Sequence, residues 1–324
     1  MTETPKLTEA AESAENPEPQ CSCVLLLDTS GSLPQCVVCS ETNQRENNED
    51  SFQVFSFVPA IGQSPVVVLA VADGMGGHAY GEHVSREALR KVSLSLFEQL
   101  TVEPSLNCLN ILPPLDEERL AQALLSALEQ ANAQVQRMVK ANQWGKAGST
   151  IVVAAILHNT AVVANLGDSP LFHYQACSGQ LRKVTQDHTV ADVLLRAGMI
   201  TPEMARYHEG RSQLEFYLGG ATLPKEPPVY HVALAPGDLL LLCTDGVTGS
   251  LLHEQVAAIL TESRDDLKGM AERLIQASRQ AGETDNQTLI LWRHDAKEQS
   301  RPGDEPTAKE KSPASAEGKP VEEV

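Results

Sequence analysis

Between Val66 and Gly77 an apolar run, Val66-Val67-Val68-Leu69-Ala70-Val71-Ala72, stops abruptly at Asp73-Gly74-Met75-Gly76-Gly77. A run this apolar and this rich in β-branched side chains reads as a buried strand. A carboxylate set at the end of such a strand, followed by glycines that let a backbone carbonyl or a phosphate come close, is how proteins build metal sites. The question for the rest of the chain is which residues join Asp73.

The 324 residues allow one large domain or two small ones. The formal charge is -18, of which residues 1–20 contribute -4 and residues 295–324 contribute -3, leaving -11 for the middle. An acidic folded part argues against nucleic acid or an anionic membrane as partner. It suits a cation site, because clustered carboxylates become tolerable when a metal neutralises them. The longest apolar candidate, Ile151 to Leu166, is cut by His158-Asn159, and the acidic N-terminus has no basic segment before an apolar core, so neither a membrane span nor a secretion signal is read. Seven cysteines, with Cys108, Cys177 and Cys243 in or near apolar segments, argue against a disulfide framework and for a reducing, cytoplasmic compartment.

Residues 1–20 and 296–324 have almost no large apolar side chains and read as disordered acidic tails. Residues 21–35 form an extra cysteine-bearing segment, read as an added hairpin or edge strand. Two sharper readings compete there. Cys21, Cys23, Cys36 and Cys39 could close a zinc shell, although their spacing is irregular and Cys36 to Cys39 also reads as a strand. Asp28-Thr29-Ser30-Gly31-Ser32 resembles the start of a von Willebrand A domain, but too little chain follows for one.

From residue 36 to 295 the pattern is one domain. Gln53 to Phe57 and Val66 to Ala72 are strands, and Gly81 to Leu100 and Leu115 to Asn142 are amphipathic helices, with Leu120, Ala123, Leu124, Ala127, Leu128 and Ala131 at helical spacing. Ser149 to Leu157, Thr160 to Leu166, Leu171 to Gln175 and Leu181 to Val184 follow as four strands, whose short links predict antiparallel pairing. Residues 187–220 read as a mobile insertion over a site, with helical pieces at Thr189 to Ala197 and Pro202 to Tyr207. Val229 to Leu234 and Asp238 to Thr244 are expected to form a hairpin around Ala235-Pro236-Gly237. Helices at Leu252 to Leu260 and Leu267 to Ala281 and a strand at Asn286 to Trp292 complete an α+β sandwich rather than a parallel βαβ sheet.

Acidic residues stand at or just beyond strand ends: Glu49-Asp50, Asp73, Asp168, Asp245 and Asp285. Any one of them alone is more simply a turn former. Together, and in this order, the segments Arg45-Glu46-Asn47-Asn48-Glu49-Asp50, Asp73-Gly74-Met75-Gly76-Gly77-His78 with Gly81-Glu82, Gly148-Ser149-Thr150, Gly167-Asp168-Ser169, Asp187-His188, Thr244-Asp245-Gly246 and Asp285-Asn286-Gln287-Thr288 resemble the bacterial branch of the metal-dependent (type 2C, PPM) serine/threonine protein phosphatases. The resemblance covers roughly Cys36 to Arg293.

That resemblance implies a four-layer sandwich of two antiparallel sheets flanked by antiparallel helix pairs, with residues 187–220 as the flap. It implies a phosphatase that hydrolyses phosphoserine and phosphothreonine by direct attack of a water bridging two Mn²⁺ or Mg²⁺ ions. Asp73 would bridge the ions, Gly74 and Glu49 would serve one of them, and Asp245 and Asp285 the other. Asp50 would orient the water from behind, and Asp168 with Asp245 offers a place for a third ion. Arg45 would hold the phosphate as a fork, which lysine cannot imitate. All-oxygen ligation favours hard ions over zinc. Phosphorylated proteins, and a Ser/Thr kinase whose work is reversed, are the implied partners of a monomer. The rival from another class is a catalytically inactive, phosphatase-like binding or sensor protein.

Several positions depart from the family pattern. Met75 stands where the eukaryotic branch has a histidine acid, and methionine cannot transfer a proton; His78 lies nearby but equally suits a helix cap. Ser40, Glu41 and Thr42 lack the usual Asp and Gly. Pro170 replaces a common arginine, and Gly249 a common carboxylate, which weakens the case for a third ion. Ser212, Glu215 and Phe216 replace the usual flap residues Asn, Thr and Arg, so substrate preference is expected to differ.

Overall fold

Alternation of side chains along the strands builds the molecule. In the computed structural model, which describes residues 36–76, 80–101, 115–224, 229–262 and 266–295, the first strands are β1 (Cys36–Glu41), β2 (Asp50–Phe57) and β3 (Val66–Met75). Helices α1 (Tyr80–Thr101) and α2 (Glu117–Asn142) follow, then β4 (Gly148–Ser149), β5 (Ile151–Leu157), β6 (Thr160–Leu166), β7 (Leu171–Gln175) and β8 (Gln180–Lys183). The flap holds α3 (Val190–Arg196), α4 (Pro202–Tyr207) and a 3₁₀ turn at Glu209–Ser212. The chain closes with β9 (Val229–Ala233), β10 (Leu239–Cys243), α5 (Asp245–Thr248), α6 (His253–Glu262), α7 (Leu267–Gln280) and β11 (Gln287–Arg293). The tails expected at 1–20 and 296–324, the segment 21–35 with Cys21 and Cys23, and His78 lie outside the described residues.

Two all-antiparallel sheets face each other, ordered β1-β11-β10-β7-β8 and β2-β3-β5-β6-β9, with β4 paired to β3. On β3, Leu69 and Val71 point between the sheets, while Val68 and Ala70 point at α1 and α2. On β10, Leu240 and Leu242 meet them from the other sheet, and Leu239 and Leu241 back onto α6 and α7. Period-two alternation thus fills three apolar interfaces, and the fold is the expected four-layer sandwich. Hydrogen bonds of Ser95 to Gln130 and Gln134 to Glu87 show α1 and α2 running antiparallel. Asp116 caps α2 by accepting from the Arg119 amide at 2.8 Å.

Four expectations need correction. The links Gly167–Pro170 and Leu234–Asp238 are not hairpins: β6 and β9 lie in one sheet, β7 and β10 in the other. At the second link the Asp238 carboxylate accepts from the amides of Ala235 at 3.0 Å and Ala176 at 2.9 Å and pairs with His173 Nε2 at 2.8 Å. It pins the chain to the sheet of β7, while the Leu234 amide reaches back to Asn159 O at 2.8 Å on the other sheet. Strand β3 runs past Ala72 to Met75, because β4 supplies partners for Gly74 and Met75. A shared zinc site for Cys36 and Cys39 is excluded, since Cys36 points into the inter-sheet core and Cys39 into the core under α6 and α7. Cys39 is disulfide-bonded, a pairing that a reducing compartment did not predict, while Cys36, Cys177 and Cys243 are free.

Candidate active site

The register of β2 on β3 sets Asp50 opposite Asp73. Asp73 is fixed through its backbone: its amide donates to Thr150 Oγ1 at 2.9 Å, and its carbonyl accepts from the Thr150 amide at 2.8 Å and Ser149 Oγ at 3.0 Å. The next peptide is crowded. A Cβ on Gly74 would stand 2.1 Å from Gly81 O and 2.7 Å from Glu49 O, and one on Gly81 would stand 2.6 Å from the Glu49 carboxyl. Only glycine lets β3, the start of α1 and the Glu49 segment meet here.

From the other sheet, Asp245 opens α5 directly after β10. Gly246 is pressed against Asn286 O, which a Cβ would approach to 2.0 Å. Asn286 is the staple of the site. Its Oδ1 accepts from the Glu49 amide at 2.8 Å, and its Nδ2 donates to Thr42 O at 2.9 Å and Asn47 O at 3.0 Å, so the loop carrying Arg45 and Glu49 is tied to the start of β11. Beside it Asp285 is oriented by Glu283, whose Oε1 accepts from the amides of Thr284 at 2.9 Å and Asp285 at 3.1 Å, while Oε2 accepts from Ser250 Oγ at 2.6 Å. Thr244 Oγ1 donates to Asp50 Oδ2 at 2.9 Å and links the two sheets below the site.

Arg45, Glu49, Asp73, Gly74, Asp168, Asp245 and Asp285 line one cleft of about 1040 Å³ together with Met75. All sequence-nominated site residues are therefore gathered except Asp50, which is buried and does not line it. Residues that the sequence reading quoted without a role, Thr150, Thr244 and Asn286, turn out to hold the nominated ones. Glu283 was missed altogether, and its one signal is its position two residues before Asp285.

Crowded carboxylates resist ionisation. Burial first, then the charges of Asp245 and Asp285, push Asp50 up to about 7 against hydrogen bonds from Thr288 and Thr244. Burial with the charges of Asp285 and Glu283 raises Asp245 to about 6, and burial with Asp245 and Asp187 raises Asp168 to about 8. Asp73 is pushed well above the carboxylate range by burial and by Asp50, Asp245, Asp168 and Asp285, all negative. Burial also raises Glu49.

The donor set fits a hard divalent cation. Asp50 Oδ1 is buried without a hydrogen-bond partner, and the repulsion among these oxygens is what a dication relieves. Among the described residues no group of three or more His, Cys, Asp or Glu is gathered tightly enough to hold an ion unaided. Arg45 Nη2 stands 2.7 Å from Asp285 Oδ2 and supplies a positive charge there.

Residues 40–290 match the family model described as protein phosphatase 2C. The chain belongs to the protein phosphatase 2C family. The serine/threonine phosphatase stp of Listeria monocytogenes is 30% identical over 258 residues, covering 79% of this chain and 94% of that protein. The crystal structure of the serine/threonine phosphatase PstP/Ppp of Mycobacterium tuberculosis superposes with a TM-score of 0.65 at 27% identity, covering 80% of this chain and 98% of that one. A PstP catalytic domain solved with two manganese ions gives a TM-score of 0.61 at 25% identity, covering 80% of this chain and 96% of that one. Within this phosphatase 2C frame, the matched residues 40–290 contain all eight nominated positions.

Proposed function

We infer that this protein is a Mn²⁺- or Mg²⁺-dependent protein phosphatase that hydrolyses phosphoserine and phosphothreonine. The observation that carries the reading is the convergence of Glu49, Asp73, Asp168, Asp245 and Asp285 with Arg45 on one cleft. Bound ions would supply Lewis-acid charge and a water acidic enough to attack phosphorus at neutral pH. The chain's own residues do the rest. Asp73, the most crowded carboxylate, would be shared between two ions, with Glu49 and the Gly74 carbonyl on one side and Asp245 and Asp285 on the other. Asp50, held by Thr244, would accept a hydrogen bond from the attacking water and fix its direction. Arg45, freed from Asp285, would grip two phosphoryl oxygens. Met75 lines the cleft and has no proton to give, so the leaving alkoxide must take its proton from water or another group.

The inactive-sensor reading predicts lost carboxylates, and Glu49, Asp73, Asp245 and Asp285 are all retained. Asp168 would complete a third, weaker site. The substrates on this reading are phosphoproteins made by a Ser/Thr kinase, met by the enzyme as a monomer in the cytosol, where the ATP for phosphorylation is found. Among the described residues no helix is long and apolar enough to cross a membrane. Purified protein should hydrolyse p-nitrophenyl phosphate and a phosphothreonine peptide with Mn²⁺ and stop with EDTA. Full activity in Asp73→Asn would sink the mechanism.

A further inference from the structure

On the flap side of the carboxylates lies a second cavity of about 710 Å³. It shares Asp168, Ser212, Asp245 and Asp285 with the Arg45 cleft, so the two form one depression with the carboxylates at the join. A phosphoryl group gripped from the Arg45 side leaves the adjoining substrate chain this second half to occupy.

The outer wall is the flap, which places Arg206 and Tyr207 from α4 and Arg211 from the 3₁₀ turn against the cavity. Its base is stitched to the body. The Val190 amide donates to Gln213 O at 2.9 Å and the Glu215 amide to His188 O at 2.8 Å, and Ser149 and Leu218 exchange both backbone hydrogen bonds next to Asp73. The arginines are thus carried on a wall tied to the same strand that fixes Asp73.

Asp168, Asp245 and Asp285 at the join belong to the carboxylate cluster, and the other charges around the cavity, the flap arginines aside, are partnered. Lys183 pairs with Asp187 at 2.7 Å and Arg196 with Asp192 at 2.8 Å, and Glu283 is held by Ser250 and two amides. Among the described residues neither Arg206 nor Arg211 forms an ion pair. In a chain with a net charge of -18, which repels anionic peptides at long range, two uncompensated guanidinium groups beside the reaction centre supply a local attraction of the opposite sign.

We propose that this cavity is a subsite for the substrate residues next to the phosphorylated one, and that Arg206 and Arg211 select stretches carrying a further anion, either a carboxylate or a second phosphoryl group. The proposal rests on the phosphatase reading above and names the preference of that same site.

The test compares kcat/KM on three phosphothreonine peptides, one with neutral flanks, one with glutamate flanks and one with a second phosphothreonine. Wild type should favour the anionic peptides through KM, and Arg206→Gln/Arg211→Gln should reduce that preference roughly three- to tenfold, the worth of two exposed ion pairs. Preference for the doubly phosphorylated peptide alone assigns the subsite to phosphoryl groups; preference for both assigns it to anions generally. Equal kcat/KM on all three peptides, or a preference that survives in the double variant, overturns the proposal. Added NaCl should raise the wild-type KM more for the anionic peptides than for the neutral-flanked one, a reading that does not depend on how the variant folds. Wild type that fails to hydrolyse p-nitrophenyl phosphate with Mn²⁺ would instead sink the phosphatase reading itself.

Discussion

Arg45 Nη2 lies 2.7 Å from Asp285 Oδ2, joining the residue assigned to the phosphate to one assigned to a metal ion. The pair is half exposed, with side-chain exposures of 57% and 38%, so it is weak enough to open. On the proposed assignment, substrate and cation would each take one partner from it, and each would help the other to bind.

Replacing Arg45 separates these roles. Arg45→Ala should lower kcat/KM by about 10- to 100-fold, mostly through KM, as expected for losing a charge-assisted hydrogen-bonded contact worth ~1.5–3 kcal/mol. Mn²⁺ binding without substrate should not weaken and should tighten by up to about fivefold, because a surface pair worth ~0.2–1 kcal/mol no longer competes for Asp285. Calorimetric titration with Mn²⁺ checks the second half; weaker binding in the variant would show that Arg45 organises the carboxylates instead of competing for them.

The raised carboxylates give the metal-free protein an inverted pH dependence. The ordinary Asp value is 3.8, against about 6 for Asp245, about 7 for Asp50 and about 8 for Asp168 in the fold. Between those limits the folded chain holds protons that the unfolded chain has released, so stability falls as pH rises. Without metal, the melting temperature should decline from about pH 4 to pH 8. With saturating Mn²⁺ the decline should shrink or reverse, because ligation requires deprotonated carboxylates and tightens with pH. Thermal melts with EDTA and with Mn²⁺ across this range decide it, and a flat EDTA series would show that these carboxylates ionise freely.

The layers were legible because each strand and helix declares its apolar face locally, as Leu120, Ala123 and Leu124 do on α2. Which sheet each strand joins was not. Nothing in the three-residue link Ala235-Pro236-Gly237 distinguishes a hairpin from a crossing, and the deciding contacts of Asp238 with Ala176 and His173 are remote in sequence. The opposite facing of Cys36 and Cys39 could have been read, since a spacing of three in a strand reverses the side. The carboxylates were visible as Asp-Gly and Asp-Asn junctions at strand ends. Their supports were hidden, because Asn286 reaches Glu49 and Thr42 through side-chain contacts with the backbone of a segment more than two hundred positions earlier.

Glu283 tests whether such supports matter to the metal. Its carboxylate accepts from the amides of Thr284 and Asp285 and from Ser250, so Glu283→Ala frees the turn that aims Asp285. Mn²⁺ affinity should fall about tenfold, in the range seen for partners that orient ligands from behind. Glu283→Gln keeps an acceptor oxygen and should recover much of the affinity. A loss of melting temperature with unchanged Mn²⁺ affinity would mark Glu283 as a structural contact only.

Gly74 couples the fold to the site most directly. The Cβ of Gly74→Ala would sit 2.1 Å from Gly81 O and 2.7 Å from Glu49 O, and backbone atoms on both sides leave no side chain that could swing away. Either β3 retreats from α1, breaking the Gly74 amide bond to Glu49 O at 3.1 Å, or the Glu49 loop lifts off the cleft. Both routes part Glu49 from Asp73, so stability and metal binding should fail together, by about 3 kcal/mol or more in the melt. Gly62→Ala is the control. It meets nothing within 4 Å, and its φ of 82° makes the substitution only locally strained, so it should cost about 1 kcal/mol and leave the Mn²⁺ titration unchanged. A Gly74→Ala protein that melts like the control would mean that the close approach of these three segments is not what holds Glu49 beside Asp73.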